Sequence, residues 1–209
     1  MTTIHRLTDS CLTVTTDNGT TLFDPGSFTY DSGVVDLESI GDVQRVLITH
    51  EHGDHVKPEF VRWLLDRGTD VTVHSNQAVA DLLAVHDIEV AVAGADGVTF
   101  EDVLHETTPL GTAPPNRAFT VDGVFTHPGD SYQPSTTGAV LGLPLITPWG
   151  SMFASMEFAR RLAPGQAVPL HDFYVSDAGR QWIYGMAKKV LADADIEFVA
   201  LDWGDSFTV

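Results

Sequence analysis

The chain has 209 residues, 43% of them apolar, which is too hydrophobic for a disordered polymer and long enough for one domain with its own core. Eleven basic against 29 acidic side chains leave a net charge of −18, a surface that repels nucleic acid and anionic lipid. The sequence has no uncharged apolar run of the length a membrane span needs, its first ten residues lack a secretory pattern, and its one cysteine, Cys11, fits a reducing, cytoplasmic setting.

The first third is rich in strands. Residues 4–7, 12–16 and 20–23 are short β-branched or apolar runs, and Asp17-Asn18-Gly19 supplies a hairpin turn between the last two. Asp24-Pro25-Gly26 stops the third run. Residues 44–49 read as a buried strand, since Val46, Leu47 and Ile48 are consecutive. Pro58 opens a helix with Phe60, Val61, Leu64 and Leu65 on one stripe. A strand over 70–74 precedes a second helix, which Ser75 or Asn76 caps and which runs to Val85 with Val79, Leu82 and Leu83 inward. Residues 88–93 and 98–104 read as strands around a Gly-Ala-Asp-Gly turn. Asp122-Gly123 makes a hairpin of 117–121 and 124–126. Further strands are expected over 143–146, 167–170 and 198–201. Ser151 caps a helix with Phe153, Met156 and Leu162 on one side. The longest helix covers 177–192, its core stripe read as Trp182, Ile183, Met186, Ala187, Val190 and Leu191. With no internal repeat and no Pro/Ser linker, residues 1–209 are expected to form a single α/β (α+β) layered domain, a mixed sheet or two sheets with helices outside.

The segment that carries chemistry follows the 44–49 strand. It reads Thr49-His50-Glu51-His52-Gly53-Asp54-His55, an H-x-H-x-D-H pattern. In an extended segment His50 and His52 point the same way, so two imidazoles can grip one cation. Where the backbone turns, Asp54 and His55 face a second point close by. Imidazole with carboxylate is a ligand set for zinc and other divalent transition metals. Two such ions need more ligands, preferably a bridging carboxylate. Downstream candidates are His105 after the 98–104 strand, Asp130 in His127-Pro128-Gly129-Asp130-Ser131, and His171 after Val168-Pro169-Leu170. Each follows a short apolar strand, where side chains can converge at one edge of a sheet.

This series of residues resembles the metallo-β-lactamase superfamily over nearly the whole chain: Asp24 after an N-terminal strand, the His50–His55 cluster, His105, Asp130 in a Gly-Asp step, and His171. The wording FTHPGDS, the Pro148-Trp149 pair and Val168-Pro169-Leu170-His171-Asp172 are similar to small bacterial metal-dependent hydrolases related to the ascorbate-6-phosphate lactonase group. The resemblance implies a four-layer αβ/βα sandwich with metals at one edge. It places His50, His52 and His105 on one metal, Asp54, His55 and His171 on the other, and Asp130 between them. Asp24 takes the part of a strand-end aspartate that supports the ligand loop. His127 is expected to support the ligands from behind or to be structural, and His5, His74 and His86 have no part in the pattern.

The chemistry so implied is hydrolysis of a small ester, lactone or phosphoester. A divalent ion lowers the pKa of bound water from 15.7 to about 7, which makes hydroxide available at neutral pH. Asp54 is also the candidate to orient the nucleophile or carry a proton. The expected cofactors are two divalent ions, Zn2+ first and Mn2+ or Fe2+ as alternatives. Phe28, Tyr30, Tyr132 and Trp149 are candidate pocket residues. The expected partner is a small-molecule substrate, with no nucleic acid and no membrane; a homo-oligomer is left open. The rival readings are a redox diiron member of the same fold, a nonhydrolytic metal-binding module and an inactive scaffold. His52 stands where the diiron branch tends to carry Glu, which favours the hydrolytic reading.

Overall fold

The structure, a computed structural model, describes residues 1–68, 70–108 and 111–209. Its central strands are buried on both faces, so neighbouring apolar residues serve different cores. The first sheet contains β1 (Thr3–Arg6), β2 (Leu12–Thr16), β3 (Gly19–Phe23), β4 (Arg45–Leu47), β5 (Thr72–His74) and the C-terminal β12 (Ser206–Thr208), in the order β12-β1-β2-β3-β4-β5. Leu22 and Val46 face a helix layer, whereas Phe23 and Leu47, one residue further on, face the second sheet. That sheet contains β6 (Val98–Leu104), β7 (Pro115–Val121), β8 (Phe125–His127), β9 (Val140–Pro144), β10 (Gln166–Leu170) and β11 (Glu197–Phe198), in the order β11-β10-β9-β8-β7-β6. Here Val140 and Val168 look toward the first sheet, and Leu141 and Ala167 toward helices.

Helices α2 (Pro58–Arg67) and α3 (Gln77–Ala84) cover the first sheet through Phe60, Val61, Leu64, Val79 and Leu83. Helices α4 (Met152–Leu162) and α5 (Asp177–Ala192) cover the second through Met156, Phe158, Ala159, Tyr184, Ala187 and Leu191. The helix starts follow from local chemistry: Pro58 sits in the first turn of α2, and the side chains of Asn76, Ser151 and Ser176 each accept a backbone N–H of the helix they open. The αβ/βα sandwich expected from the resemblance is the architecture observed.

Several details depart from the sequence expectations. Residues 88–93 form no strand: Ala91 makes a single bridge to His74, and Ile88 packs into the α2–α3 core. The 143–146 strand begins and ends earlier, at Val140–Pro144. A short helix α1 (Ser27–Ser32), a 3-10 turn at Leu37–Ile40 and β12 were not expected. Phe153 and Trp182 are 58% and 62% exposed rather than inward. The buried residues of α5 are Arg180, Tyr184, Ala187 and Leu191; of the expected stripe Ala187 and Leu191 are buried, Ile183, Met186 and Val190 are half-buried against the same core, and Trp182 alone faces solvent.

Strand direction positions the site. β3, β4 and β5 are mutually parallel, as are β8, β9 and β10; β6 is antiparallel to β7, which is antiparallel to β8, so β6 and β8 run the same way. Cross-sheet hydrogen bonds then bring the strand ends together. The Arg117 N–H donates to the Thr49 carbonyl at 2.9 Å, and Asn76 Nδ2 donates to the carbonyls of Thr49 and Pro115 at 3.2 and 3.0 Å.

Candidate metal centre

Asp24 ends β3 with a positive φ of 45°. Its Oδ1 accepts the Thr49 N–H at 2.7 Å; its Oδ2 accepts the Thr49 hydroxyl at 2.8 Å and lies 2.7 Å from His55 Nδ1. One buried carboxylate therefore holds both ends of the 49–55 loop and turns His55 Nε2 toward the interior of the site. The neighbouring Gly26 is required by proximity: a Cβ there would stand 1.7 Å from the Asp54 carbonyl oxygen. This close approach lets the Ser27 N–H, at the start of α1, donate to the Gly53 carbonyl at 2.9 Å.

Asp130 is held from the other sheet. The turn after β8 passes through Gly129 at φ 61°, and the Asp130 N–H donates to Asn116 Oδ1 at 3.1 Å. Asn116 Nδ2 in turn donates to the Pro128 carbonyl at 2.8 Å. Trp149 Nε1 donates to Asp130 Oδ2 at 2.7 Å. The two carboxylate oxygens are thus aimed apart. Oδ1 lies 3.1 Å from His55 Nε2 and 2.5 Å from His171 Nε2; Oδ2 lies 3.1 Å from His105 Nε2 and 3.8 Å from His50 Nε2.

Two groups of donor atoms result. His50, His52, His105 and Asp130 form one, Asp54, His55 and His171 the other, and within each group the ligand atoms lie within 4.8 Å of one another. His50 Nε2 is 3.0 Å from His52 Nδ1, so the two imidazoles of the H-x-H step do share a side. The donor set suits divalent cations, and so does its state of pairing. His55 Nε2, His105 Nε2, His171 Nε2 and Asp130 Oδ1 are fully buried yet none makes a hydrogen bond of acceptable geometry. Buried polar atoms without partners are rare, and a cation is a partner that such a group can share.

The protonation pattern of the metal-free site points the same way. Burial alone would raise the Asp130 carboxyl, but His171 and His55 outweigh it and hold Asp130 well below the usual carboxylate range. Burial would lower His171, yet Asp130 and Asp9 push it up to about 9. His55 is likewise held well above its ordinary value, since Asp130, Asp24 and Asp54 overcome its burial. His50 goes the other way: burial and the neighbouring His55 keep it well below. Protons on His55 and His171 therefore carry the positive charge that the buried carboxylates demand.

The sequence profile of the metallo-beta-lactamase superfamily matches residues 7–200. The chain belongs to this superfamily. As a member, it is 28% identical over 193 residues to protein Rv0786c of Mycobacterium tuberculosis, covering 84% of this chain and 86% of that one. Among solved structures it resembles Igni18, a metallo hydrolase of the archaeon Ignicoccus hospitalis, with a TM-score of 0.73, 17% identity and coverage of 100% and 99%. A protein of Parabacteroides distasonis gives a TM-score of 0.70 at 22% identity, over 95% and 91% of the two chains. These structural likenesses establish the fold.

The superfamily chain gathers all seven of the sequence-derived candidates, His50, His52, Asp54, His55, His105, Asp130 and His171, at one edge of the sandwich. His127 stays outside both groups. Its Nε2 lies 2.9 Å from the Ser10 carbonyl, its Nδ1 accepts the Gly129 N–H at 3.1 Å, and its ring stacks on Phe23. Neither group includes His5, His74 or His86. Of the pocket candidates, Trp149 touches the site, through Asp130 and through ring-edge contacts to His105 and His171. Tyr132 packs on Trp149, and Tyr30 packs on Phe60 in the α2–α3 core. Phe28 stacks on Phe173 and meets Tyr174 edge-on, and Tyr174 is raised by burial and by charges that include the Asp54 carboxylate. The sequence reading missed Phe173 and Tyr174, although they directly follow His171-Asp172.

Proposed function

We propose that this chain is a metal-dependent hydrolase of a small ester, lactone or phosphoester, and that its centre takes two divalent cations. His50, His52 and His105 would hold one, Asp54, His55 and His171 the other, and Asp130 would join them. The observation that carries this reading is the splitting of Asp130, one oxygen toward each histidine group. Cations held there would polarise a carbonyl or phosphoryl oxygen and bring the pKa of coordinated water toward neutrality. Zn2+ suits the imidazole-rich set, with Mn2+ or Fe2+ as alternatives.

The residues themselves do the rest. Trp149 fixes the orientation of Asp130 through its indole N–H, and its ring closes the side of the site next to His105 and His171. Asp54 is less buried than Asp130 and acts electrostatically on Tyr174, whose side chain is half-exposed. It is the carboxylate placed to orient a nucleophile and to pass a proton toward solvent. Phe28, Phe173 and Tyr174 make an aromatic wall on that side, suited to the apolar part of a small substrate. The acidic surface and the buried lone thiol of Cys11 favour a cytoplasmic setting without nucleic-acid partners. No helix among the described residues is long and apolar enough to cross a membrane.

The test is elemental analysis of protein purified without added metal, followed by a panel of esters, lactones and phosphodiesters before chelation, after it, and after metal is restored. The expected result is about two metal equivalents per chain and turnover that follows the metal. Full turnover in demonstrably metal-free protein overturns the proposal. Metal uptake with oxidation chemistry and no hydrolysis would transfer the site to the redox reading.

A further inference from the structure

We propose that Asp9 is the positioning residue for His171, and that the turn between β1 and β2 sets the second cation site. The inference rests on the two-cation reading above. The turn closes through the Leu7 N–H to the Cys11 carbonyl at 3.0 Å and the Cys11 N–H to the Thr8 carbonyl at 2.8 Å. Together with Arg6 at the end of β1, it grips three consecutive residues after β10. Arg6 Nη2 pairs with Asp172 Oδ1 at 2.5 Å, Asp9 Oδ1 accepts the Phe173 N–H at 3.2 Å, and the Asp9 carbonyl accepts the His171 N–H at 3.4 Å. Asp9 and His171 both occupy the left-handed region, at φ 53° and 58°, so two tight backbones are locked against each other.

The second oxygen of Asp9 is the unexplained group. Asp9 is 1% exposed, its Oδ2 has no hydrogen-bond partner, and it stands 3.7 Å from His171 Nδ1, which also has none. That distance exceeds a hydrogen bond, yet the two atoms are chemically complementary, and leaving both unpaired is costly. A proton on Nδ1 directed at Asp9 leaves the Nε2 lone pair for a cation, and Nε2 already faces Asp130. The pairing repeats what Asp24 does for His55, from a different part of the chain.

Asp9→Asn is the informative variant. Asn tolerates the left-handed backbone and keeps an oxygen for the Phe173 N–H, but offers His171 no charge. Zinc is titrated into metal-free parent and variant against a chromophoric chelator. One equivalent is expected to bind as in the parent, and the equivalent that uses His171 to weaken about 10–100-fold. The metal-free melting temperature of the variant should stay within a few degrees of the parent. If the parent binds two zinc ions and Asp9→Asn binds both equally well, the assignment of Asp9 fails alone; a parent that takes up no zinc brings down the two-cation reading beneath it. A readout independent of any variant is the ring-nitrogen NMR spectrum of zinc-loaded parent. His171 should show a protonated Nδ1 and a metal-bound Nε2, and the reverse pattern refutes the proposal.

Discussion

Replacing Asp24 with alanine removes one side chain that serves two purposes, and the structure sets the size of each effect. The carboxylate accepts the Thr49 N–H and the Thr49 hydroxyl and faces His55 Nδ1, all fully buried. Each donor left unsatisfied costs about 1–3 kcal/mol, so three together cost roughly 3–9 kcal/mol. Alanine at φ 45° adds about 1 kcal/mol of backbone strain. Such a loss is a large part of the 5–15 kcal/mol typical of a folded domain, and it corresponds to a fall in Tm of roughly 10–40 °C. The assay is urea unfolding of the metal-free protein, checked for an unchanged m-value, beside the same measurement on Asp24→Asn. The amide retains one oxygen for the Thr49 N–H and should recover part of the loss. Zinc affinity at the His55 group should fall about 10–100-fold in both variants. A stability loss in Asp24→Ala below about 1 kcal/mol would refute the reasoning, since Thr49 and His55 would then be satisfied without the carboxylate.

Three further outcomes follow from the same geometry. Asp130→Ala should release at least one metal equivalent and lower turnover by about two orders of magnitude or more; retention of both ions with undiminished turnover disproves the shared-carboxylate assignment. His171, raised from 6.5 to about 9, is protonated at neutral pH in the metal-free protein, so zinc uptake at pH 7 should release protons and tighten as pH rises toward 9. That raised pKa also stabilises the metal-free fold below about pH 6.5, and the contribution is lost as pH climbs through 9. Calorimetry in buffers of different ionisation enthalpy reads the proton release, and a slope of zero contradicts it. Arg6→Ala leaves Asp172 buried without its ion pair and should cost about 3–5 kcal/mol by chemical unfolding; a near-neutral result would show that Tyr184 and Trp203, which also donate to Asp172, suffice.

What the sequence revealed depended on how local each signal was. His50, His52, Asp54 and His55 lie in one loop, so their pattern could be read directly. His105, Asp130 and His171 were recognisable from their places after apolar strands and from the resemblance, because strand ends converge only once two sheets are assembled. Asp9 had no such signal: its relation to His171 spans the whole chain and exists only through packing. The six residues of α1 carry no apolar periodicity, and the helix is fixed instead by Gly26 and the Ser27–Gly53 hydrogen bond. On α5 the expected stripe packs on the core through Ala187 and Leu191, with Ile183, Met186 and Val190 half-buried beside them, but Tyr184 joins it and Trp182 is left in solvent. In residues 88–93 the β-branched content was real, but Ile88 turns into the helix-covered core and only Ala91 pairs. Tertiary context decided each of these against local propensity.

Each proposed cation site draws donors from both sheets: the 50–55 loop leaves β4, whereas His105, Asp130 and His171 leave β6, β8 and β10. Ions seated there would act as rivets across the seam of the sandwich. Neither half of the polypeptide carries a full complement of donors for either ion. Tight metal capture therefore belongs late in folding, after segments more than fifty residues apart for the first ion, and more than a hundred for the second, have met. Stripping the ions should loosen the junction between the halves before it disturbs either half, with amide exchange accelerating first along that rim.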